Sequence, residues 1–433
     1  MNKFMDFMEN KFSPIASKVE KNRFISSIKN GMVSLIAVLI IGSFTLIISS
    51  IGNLFPDGTV VKEFFVQNAD ILQLPFNFTF GLLSLYAALT ISYAHARRLE
   101  APILQSMMGA AITTLVLDCQ FVDGNFQVGY LDSRGLFIAI FSALISVEVL
   151  NLFVKKNLTI RIKGLPEMVA ATFESIAPLL TILVGSVALS VAVSIGSGGK
   201  AIPEVLTTFL APAMNSIDTP MAVFVISLLE MLFWFIGLNG YAILVGFVMP
   251  FMTQYLAENM AAFQSGDPIS HVFAPNFWDY FMGFTGSGLT GALVLLALFS
   301  KSTELKAIGK ASVVPMIFTI SEPIVFGLPI CFNPYLFIPF VLGTPFIATT
   351  QWFIFHYGIV RPPVANVGGT PIFLANYLST MDWKAPILAV LVLALGVLMY
   401  YPFFKMYETS EMKKSNAAAA EENAILSELN LDF

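Results

Sequence analysis

Ten apolar stretches recur along this chain, near residues 31–51, 76–95, 101–117, 135–154, 177–196, 221–238, 241–257, 281–300, 335–357 and 385–404. Each is close to the roughly 20 residues that a helix needs to cross the hydrocarbon core of a bilayer. No set of globular cores can hide that much apolar surface behind a charged exterior. The composition agrees: 56% of the 433 residues are hydrophobic and 12% charged, about half the ~25% charged residues of a soluble protein. The expected fold is therefore an all-α polytopic membrane protein, with about ten transmembrane helices plus two re-entrant hairpin segments. The formal net charge of -5 leaves no basic footprint for nucleic acid. Membrane lipid is the implied surrounding instead.

Charge fixes the expected orientation. Lys3, Lys11, Lys18, Lys21, Arg23 and Lys29 precede the first apolar stretch, which lacks a small-residue cleavage site and so reads as a retained span. By the positive-inside rule the N-terminus is cytoplasmic. His95, Arg97 and Arg98, then Lys155, Lys156, Arg161 and Lys163, follow the second and fourth stretches, whereas 54–70 and 118–134 hold only Lys62 and Arg134. That alternation is what successive crossings require. Within the opening segment Phe4, Met5, Phe7, Met8 and Phe12 suit one face of an interfacial helix, or a disordered leader.

Five units follow. Residues 1–30 form a cytoplasmic or interfacial N-terminus and 31–196 an N-terminal membrane half. A linker, 197–220, is marked by Gly198, Gly199, Pro203 and Pro212, which break the apolar periodicity. Residues 221–404 form a C-terminal membrane half, and 405–433 a cytoplasmic tail with helical spacing of Ile425, Leu426 and Leu429. Two segments of the C-terminal half cannot be continuous helices. Residues 313–334 carry Pro315, Pro323, Pro329 and Pro334 around Glu322, and 361–384 carry Pro362, Pro363, Gly368, Gly369 and Pro371. Irregular backbone survives at membrane depth only where protein or a water-filled cavity satisfies its polar groups. A hairpin entering from the cytoplasm is the expectation for the first.

Glu322 is the most informative residue, because an ionisable group within the membrane costs about 2.5 kcal/mol or more and usually lines a functional path. A carboxylate that accepts a hydroxyl hydrogen bond gains about 1.5–3 kcal/mol in return, so the ligand is expected to carry hydroxyls. Pairing with backbone donors at a helix end is the structural alternative. In LFWFIGLNGY, Trp234 and Asn239 interrupt an apolar span beside Gly237 and Gly240. Asn both donates and accepts, which suits a sugar and equally suits a bond between helices. Glu230 precedes Asn239 by nine residues, two and a half turns of a continuous helix, so the two need not share a cavity. GSGLTG, with Gly286 and Gly288, matches GxGxxG without the βαβ context of a dinucleotide site. Its glycines fit close helix packing or a backbone lining a substrate route. Glu148 and Glu174 read as structural. His95, His271 and His356 fall on separate segments and Cys119 and Cys331 form no pairing pattern, so no metal site, cofactor or disulfide is expected.

The string SEPIVFGLPICFNPYLFIPF, from Ser321 to Phe340, resembles the membrane permease component, enzyme IIC, of bacterial sugar phosphotransferase systems, in the lactose/cellobiose (diacetylchitobiose-like) family. FWFIGLNG, FWDYFMGFTGSGLTGAL, GMVSLIAVLIIGSF and YYPFFK support the resemblance, which spans essentially the whole chain. It implies a homodimer in the bacterial plasma membrane, joined through the N-terminal half, whose C-terminal half carries the sugar. It also implies that sugar binds near Glu322, and that its 6-hydroxyl receives phosphate from a phosphocysteine of a B component (IIB). Neither cysteine of this chain lies in a hydrophilic cytoplasmic domain, so that donor is expected on another polypeptide. Whether the chain itself counts as an enzyme stays open.

Three positions depart from the family pattern: Asn239 stands where His is common, Gly369 where many members have Trp, and Ser321 where Asn is usual. Asn bonds a hydroxyl but does not titrate near neutral pH, and Gly removes a stacking face. The expected function is a permease for a sugar such as cellobiose or diacetylchitobiose. Glu322 is the catalytic candidate, and Glu322, Asn239, Ser321, Trp234, Gly240, Gly286 and Gly288 are the substrate-binding candidates. An ion-coupled or facilitative sugar transporter, or a membrane sensor, is the alternative.

Overall fold

Helix dominates because each backbone N–H and C=O then finds its partner within its own segment, the condition that lipid imposes. The computed structural model describes residues 22–428, apart from 51, 53, 54, 57, 123, 124 and 161–166. The interfacial segment from Phe4 to Phe12, together with Arg161, Lys163 and Leu429, lies outside the described residues.

Among the described residues, seven helical stretches are long and apolar enough to cross a membrane. They are Arg23–Gly42, Ala69–Leu99, Ser133–Lys155, Thr172–Gly196, Gly240–Ser265, Ile338–His356 and Lys384–Lys413. Ile202–Ile217 and Pro220–Phe235 reach that criterion only together, bent by 73° at a short break, and Ile103–Asp118 is a shorter apolar helix. The remaining apolar stretch, 281–300, is divided. Thr285, Gly286, Gly288 and Leu289 all adopt positive φ, which no α-helix contains, so helix resumes only at Thr290–Leu298. A short antiparallel hairpin, Gln120–Val122 with Asn125–Gln127, is added to the helices.

The expected linker contains the helix Ile202–Ile217. Pro203 sits in its first turn, where a missing N–H costs nothing, so that proline starts a helix and does not interrupt one.

In the N-terminal half, Leu83–Leu99, Ile103–Asp118 and Leu136–Lys155 pack on one another. The helix Arg23–Ser34 packs on both Leu83–Leu99 and Gly240–Ser265 and so joins the two halves. Beneath it the fully buried His95 ring meets Ser27 Oγ at 2.9 Å and Glu148 Oε1 at 3.2 Å, and Arg23 reaches Glu148 at 3.1 Å. Glu148 thus has structural partners. The largest buried rings, among them Trp278, Phe277, Phe281, Phe340 and Tyr400, belong to the C-terminal half.

The proline-rich segment after Thr303–Ile317 turns at Thr319, whose φ is 59°, and then forms only the short helix Glu322–Gly327. Its backbone is satisfied from outside: the Phe332 N–H donates to the Phe235 carbonyl at 3.0 Å, and Cys331 Sγ to that of Trp234 at 3.5 Å. The Phe235 carbonyl at the end of Pro220–Phe235 is therefore capped by the loop beside it.

Candidate functional site

The helix Pro220–Phe235 ends in a tight reversal. Gly237 takes φ +83°, and Asn239 caps the next helix, Gly240–Ser265, by accepting the Ala242 N–H on its Oδ1 at 2.8 Å. A Cβ on Gly240 would stand 2.2 Å from the Glu230 carbonyl oxygen, so glycine is what lets the second helix start against the first. The chain folds back here, and Glu230 and Asn239 line one cavity in spite of their sequence separation.

That cavity has a volume of about 290 Å³. From the first helix come Glu230 and Trp234, four residues apart and hence on one face. Glu230 is 1% exposed, and its carboxylate accepts the Trp278 Nε1–H and the Ser287 hydroxyl, both at 2.7 Å. Trp278 and Asp279 lie in the π-helical turn Trp278–Met282. The wider turn presents both residues to the same space, a frequent use of such turns at functional sites. Tyr241 meets the Trp278 ring edge-on, with centroids 5.1 Å apart.

The run of positive-φ residues from Thr285 to Leu289 carries Ser287 into the cavity. Gly286 allows the loop to press on Ser321, since a Cβ there would meet Ser321 Cβ at 2.9 Å. Gly288 would carry its Cβ into the Phe340 ring, 2.2 Å away, and its carbonyl accepts the Tyr400 hydroxyl at 2.6 Å.

Thr319, Ser321 and Glu322 close the cavity. Ser321 is buried at the start of Glu322–Gly327, and its carbonyl accepts the Val325 N–H at 2.9 Å. The Glu322 side chain is exposed, lines the cavity, and makes no hydrogen bond among the described residues. The free Nδ2 of Asn239 is in the same position.

Of the residues named from sequence, Glu322, Ser321, Asn239 and Trp234 line the cavity, while Gly240, Gly286 and Gly288 stand behind its walls as packing positions. Sequence reasoning weighed Glu230 without placing it in the cavity, and did not single out Tyr241, Trp278, Asp279 or Ser287. The rule that singled out Glu322, an ionisable group within an apolar span, applies equally to Glu230 and Asp279. Gly369, at positive φ, lies outside the lining.

Three carboxylates, an amide, hydroxyls and aromatic faces around one space are the groups that bind a neutral polyol: acceptors for its hydroxyls and apolar faces for its C–H surfaces. His271 and His356 lie elsewhere, the first between Asp218 and Glu258, the second stacked on Trp352.

Comparison with known proteins gives a family and three near relatives. The model of the family described as "Phosphotransferase system, EIIC" matches residues 29–344. The chain is 29% identical to the lichenan permease IIC component of Bacillus subtilis (strain 168), over 96% of each chain. It is 27% identical to the lactose-specific EIICB component of Lacticaseibacillus casei, over 96% of this chain and 73% of that one. Among solved structures it is similar to the transporter ChbC, the IIC component of the N,N'-diacetylchitobiose-specific phosphotransferase system. There the TM-score is 0.86 at 26% identity, covering 95% of this chain and 99% of the other.

Proposed function

Because this chain belongs to the EIIC family of phosphotransferase-system sugar permeases, we propose that its cavity takes a β-linked disaccharide such as cellobiose or diacetylchitobiose. The observation that carries this reading is a division of labour between two carboxylates. Glu230 accepts from both Trp278 and Ser287, whereas Glu322 faces the same cavity with no hydrogen-bond partner among the described residues. One is a fixture of the wall and the other is available to a ligand.

In this reading Glu322 and the Asn239 amide hold sugar hydroxyls, and Trp234 and Trp278 offer their faces to the ring. The volume lies at the small end of ligand pockets, which run from about 300 Å³ upward, and suits one ring of the disaccharide with the other toward the opening. The transfer uses a phosphocysteine on a separate B component. The sugar 6-oxygen attacks phosphorus, the P–S bond breaks, the O–P bond forms, and the hydroxyl proton passes to Glu322. The thiolate leaves with the bonding electron pair. The phosphorylated sugar then carries negative charge beside acidic groups, which favours its release. Cytoplasmic termini, a homodimer joined through the N-terminal half, and a broken segment around Glu322 entered from the cytoplasm complete the proposal.

The test is Glu322→Gln in the full permease. Sugar binding is expected to be lost while the protein keeps its oligomeric state. Uptake and phosphorylation equal to wild type, measured with the B component and a phosphodonor, would overturn the role given to Glu322.

A further inference from the structure

We infer that a second saccharide site lies at the outer face of the membrane, between the two halves of the chain, and holds the disaccharide before it reaches the inner cavity. This rests on the sugar reading and the orientation given above. A cavity of about 410 Å³ opens there, lined by Phe76, Asn77 and Gly81 from one span, Asp132 and Arg134 from the turn before another, and Glu258 from Gly240–Ser265. It shares no residue with the inner cavity. Gly240–Ser265 serves both: Tyr241 lines the inner cavity and Glu258 the outer, 17 residues on, about 26 Å along the helix. The membrane side follows from the neighbouring spans. Leu136–Lys155 has 20 residues, about 30 Å of helix, the thickness of the hydrocarbon core. Arg134 before its start and Lys155 at its end therefore stand at opposite faces, and Lys155 marks the cytoplasmic one.

The charged pair is fixed by its own loop. Asp132 accepts the Arg134 backbone N–H at 2.9 Å, and Arg134 Nε donates to both carboxylate oxygens at 3.1 and 3.0 Å. Arg134 Nη2 donates to the Gly129 carbonyl, which leaves Nη1 without a hydrogen bond among the described residues. Gly135 admits no side chain, since a Cβ would stand 2.2 Å from the Tyr130 carbonyl oxygen, so the loop is pressed into place. The guanidinium fork is thus held ready for a ligand. The exposed Asn77 amide likewise makes no hydrogen bond among the described residues. Beside these groups the Phe76 and Phe80 rings stack, with centroids 5.2 Å apart. Free N–H donors, carboxylate lone pairs and a ring face on one space match the vicinal hydroxyls and C–H surface of a pyranose. Two carboxylates and one guanidinium line the space, so it offers no surplus positive charge to a phosphate or a lipid headgroup. Both halves of one chain supply the lining, and no second copy is needed to complete it.

The full-length permease in detergent is titrated with cellobiose by calorimetry, as wild type and as Glu322→Gln, which removes the inner site in the reading above. Glu322→Gln is expected to keep one weak binding component. In that background Arg134→Gln is expected to weaken the component about tenfold and Asn77→Ala about threefold, the worth of a charged and a neutral hydrogen bond. Gly81→Leu fills the cavity without a clash, since nothing lies within 4 Å of a Cβ at Gly81. It is expected to abolish the component at unchanged Tm. Absence of cellobiose binding in Glu322→Gln overturns the outer site. So does a weak component that survives both Arg134→Gln and Gly81→Leu, or a Gly81→Leu protein whose oligomeric state changes. If Glu322→Gln binds as tightly as wild type while Gly81→Leu still removes a weak component, the outer site stands and only the role of Glu322 falls.

Discussion

The Trp278 indole N–H donates to the Glu230 carboxylate across 2.7 Å, and so ties the π-helical turn to the helix that ends at the chain reversal. Ser287 occupies the other carboxylate oxygen. Glu230→Gln keeps the volume but leaves one of these two donors facing an NH₂ group. A hydrogen bond to a charged group is worth about 1.5–3 kcal/mol, so sugar affinity is expected to fall roughly tenfold to a hundredfold as the Trp278 face and the Ser287 loop lose their positions. Calorimetric titration with a β-linked disaccharide measures this. Wild-type affinity in a well-folded Glu230→Gln protein would show that the tie does not shape the cavity.

Two glycines at the reversal make different demands. Gly240 has no room, with the Glu230 carbonyl 2.2 Å from a Cβ, whereas Gly237 has room but a φ of +83°. Gly237→Ala is expected to cost about 1–2 kcal/mol, the penalty of a left-handed residue. Gly240→Ala must push two helix backbones apart and is expected to cost more, about 2–3 kcal/mol, within the range for overpacking. Thermal unfolding in detergent should rank the variants wild type, Gly237→Ala, Gly240→Ala in falling Tm. The reverse order of the two glycines would mean that the helices separate easily at this point.

The apolar stretches and the proline-broken segment at Glu322 were legible in the sequence because each is local: hydropathy and backbone chemistry are properties of consecutive residues. The membership of Glu230 was not. Its distance from Asn239 was measured along a helix taken as continuous, and the reversal at Gly237 folds that distance away. Stretch 281–300 looked like a span because its mean hydropathy does not register four positive-φ residues between Thr285 and Leu289. Pro203 looked like a breaker because a proline in a first turn and a proline that ends a helix are the same letter. The glycines of GSGLTG carried both readings from the start, and the structure sets Gly286 and Gly288 against Ser321 and Phe340, which is packing.

The loop after Gly240–Ser265 carries a pH-dependent contact. His271 stacks on Tyr255, with centroids 4.5 Å apart, and its two ring nitrogens meet Asp218 at 3.3 Å and Glu258 at 2.8 Å. Burial by itself would lower its pKa, but the hydrogen bonds and charges of the two carboxylates outweigh it and raise the value to about 9. A His whose pKa is higher when folded stabilises fully below its ordinary value of about 6.5, and that stabilisation fades as pH rises through about 9. Wild-type Tm is therefore expected to fall between neutral pH and pH values above 9, with a flatter profile for His271→Gln. Parallel profiles of the two proteins would remove His271 from the account.

Asn239 does two jobs with two atoms: Oδ1 caps a helix through the Ala242 N–H, and Nδ2 is left to the cavity. Substitutions separate them. Asp caps as well as Asn, whereas Ala forfeits typically about 1 kcal/mol of helix stability. Asn239→Asp is therefore expected to hold its Tm near wild type yet bind sugar more weakly, because a donor has become an acceptor beside Glu322. Asn239→Ala should lose on both counts. Disaccharide titration and thermal unfolding on the same preparations give the two readouts. Wild-type affinity in Asn239→Asp would confine this residue to the cap, and leave the hydroxyls of the sugar to the carboxylates alone.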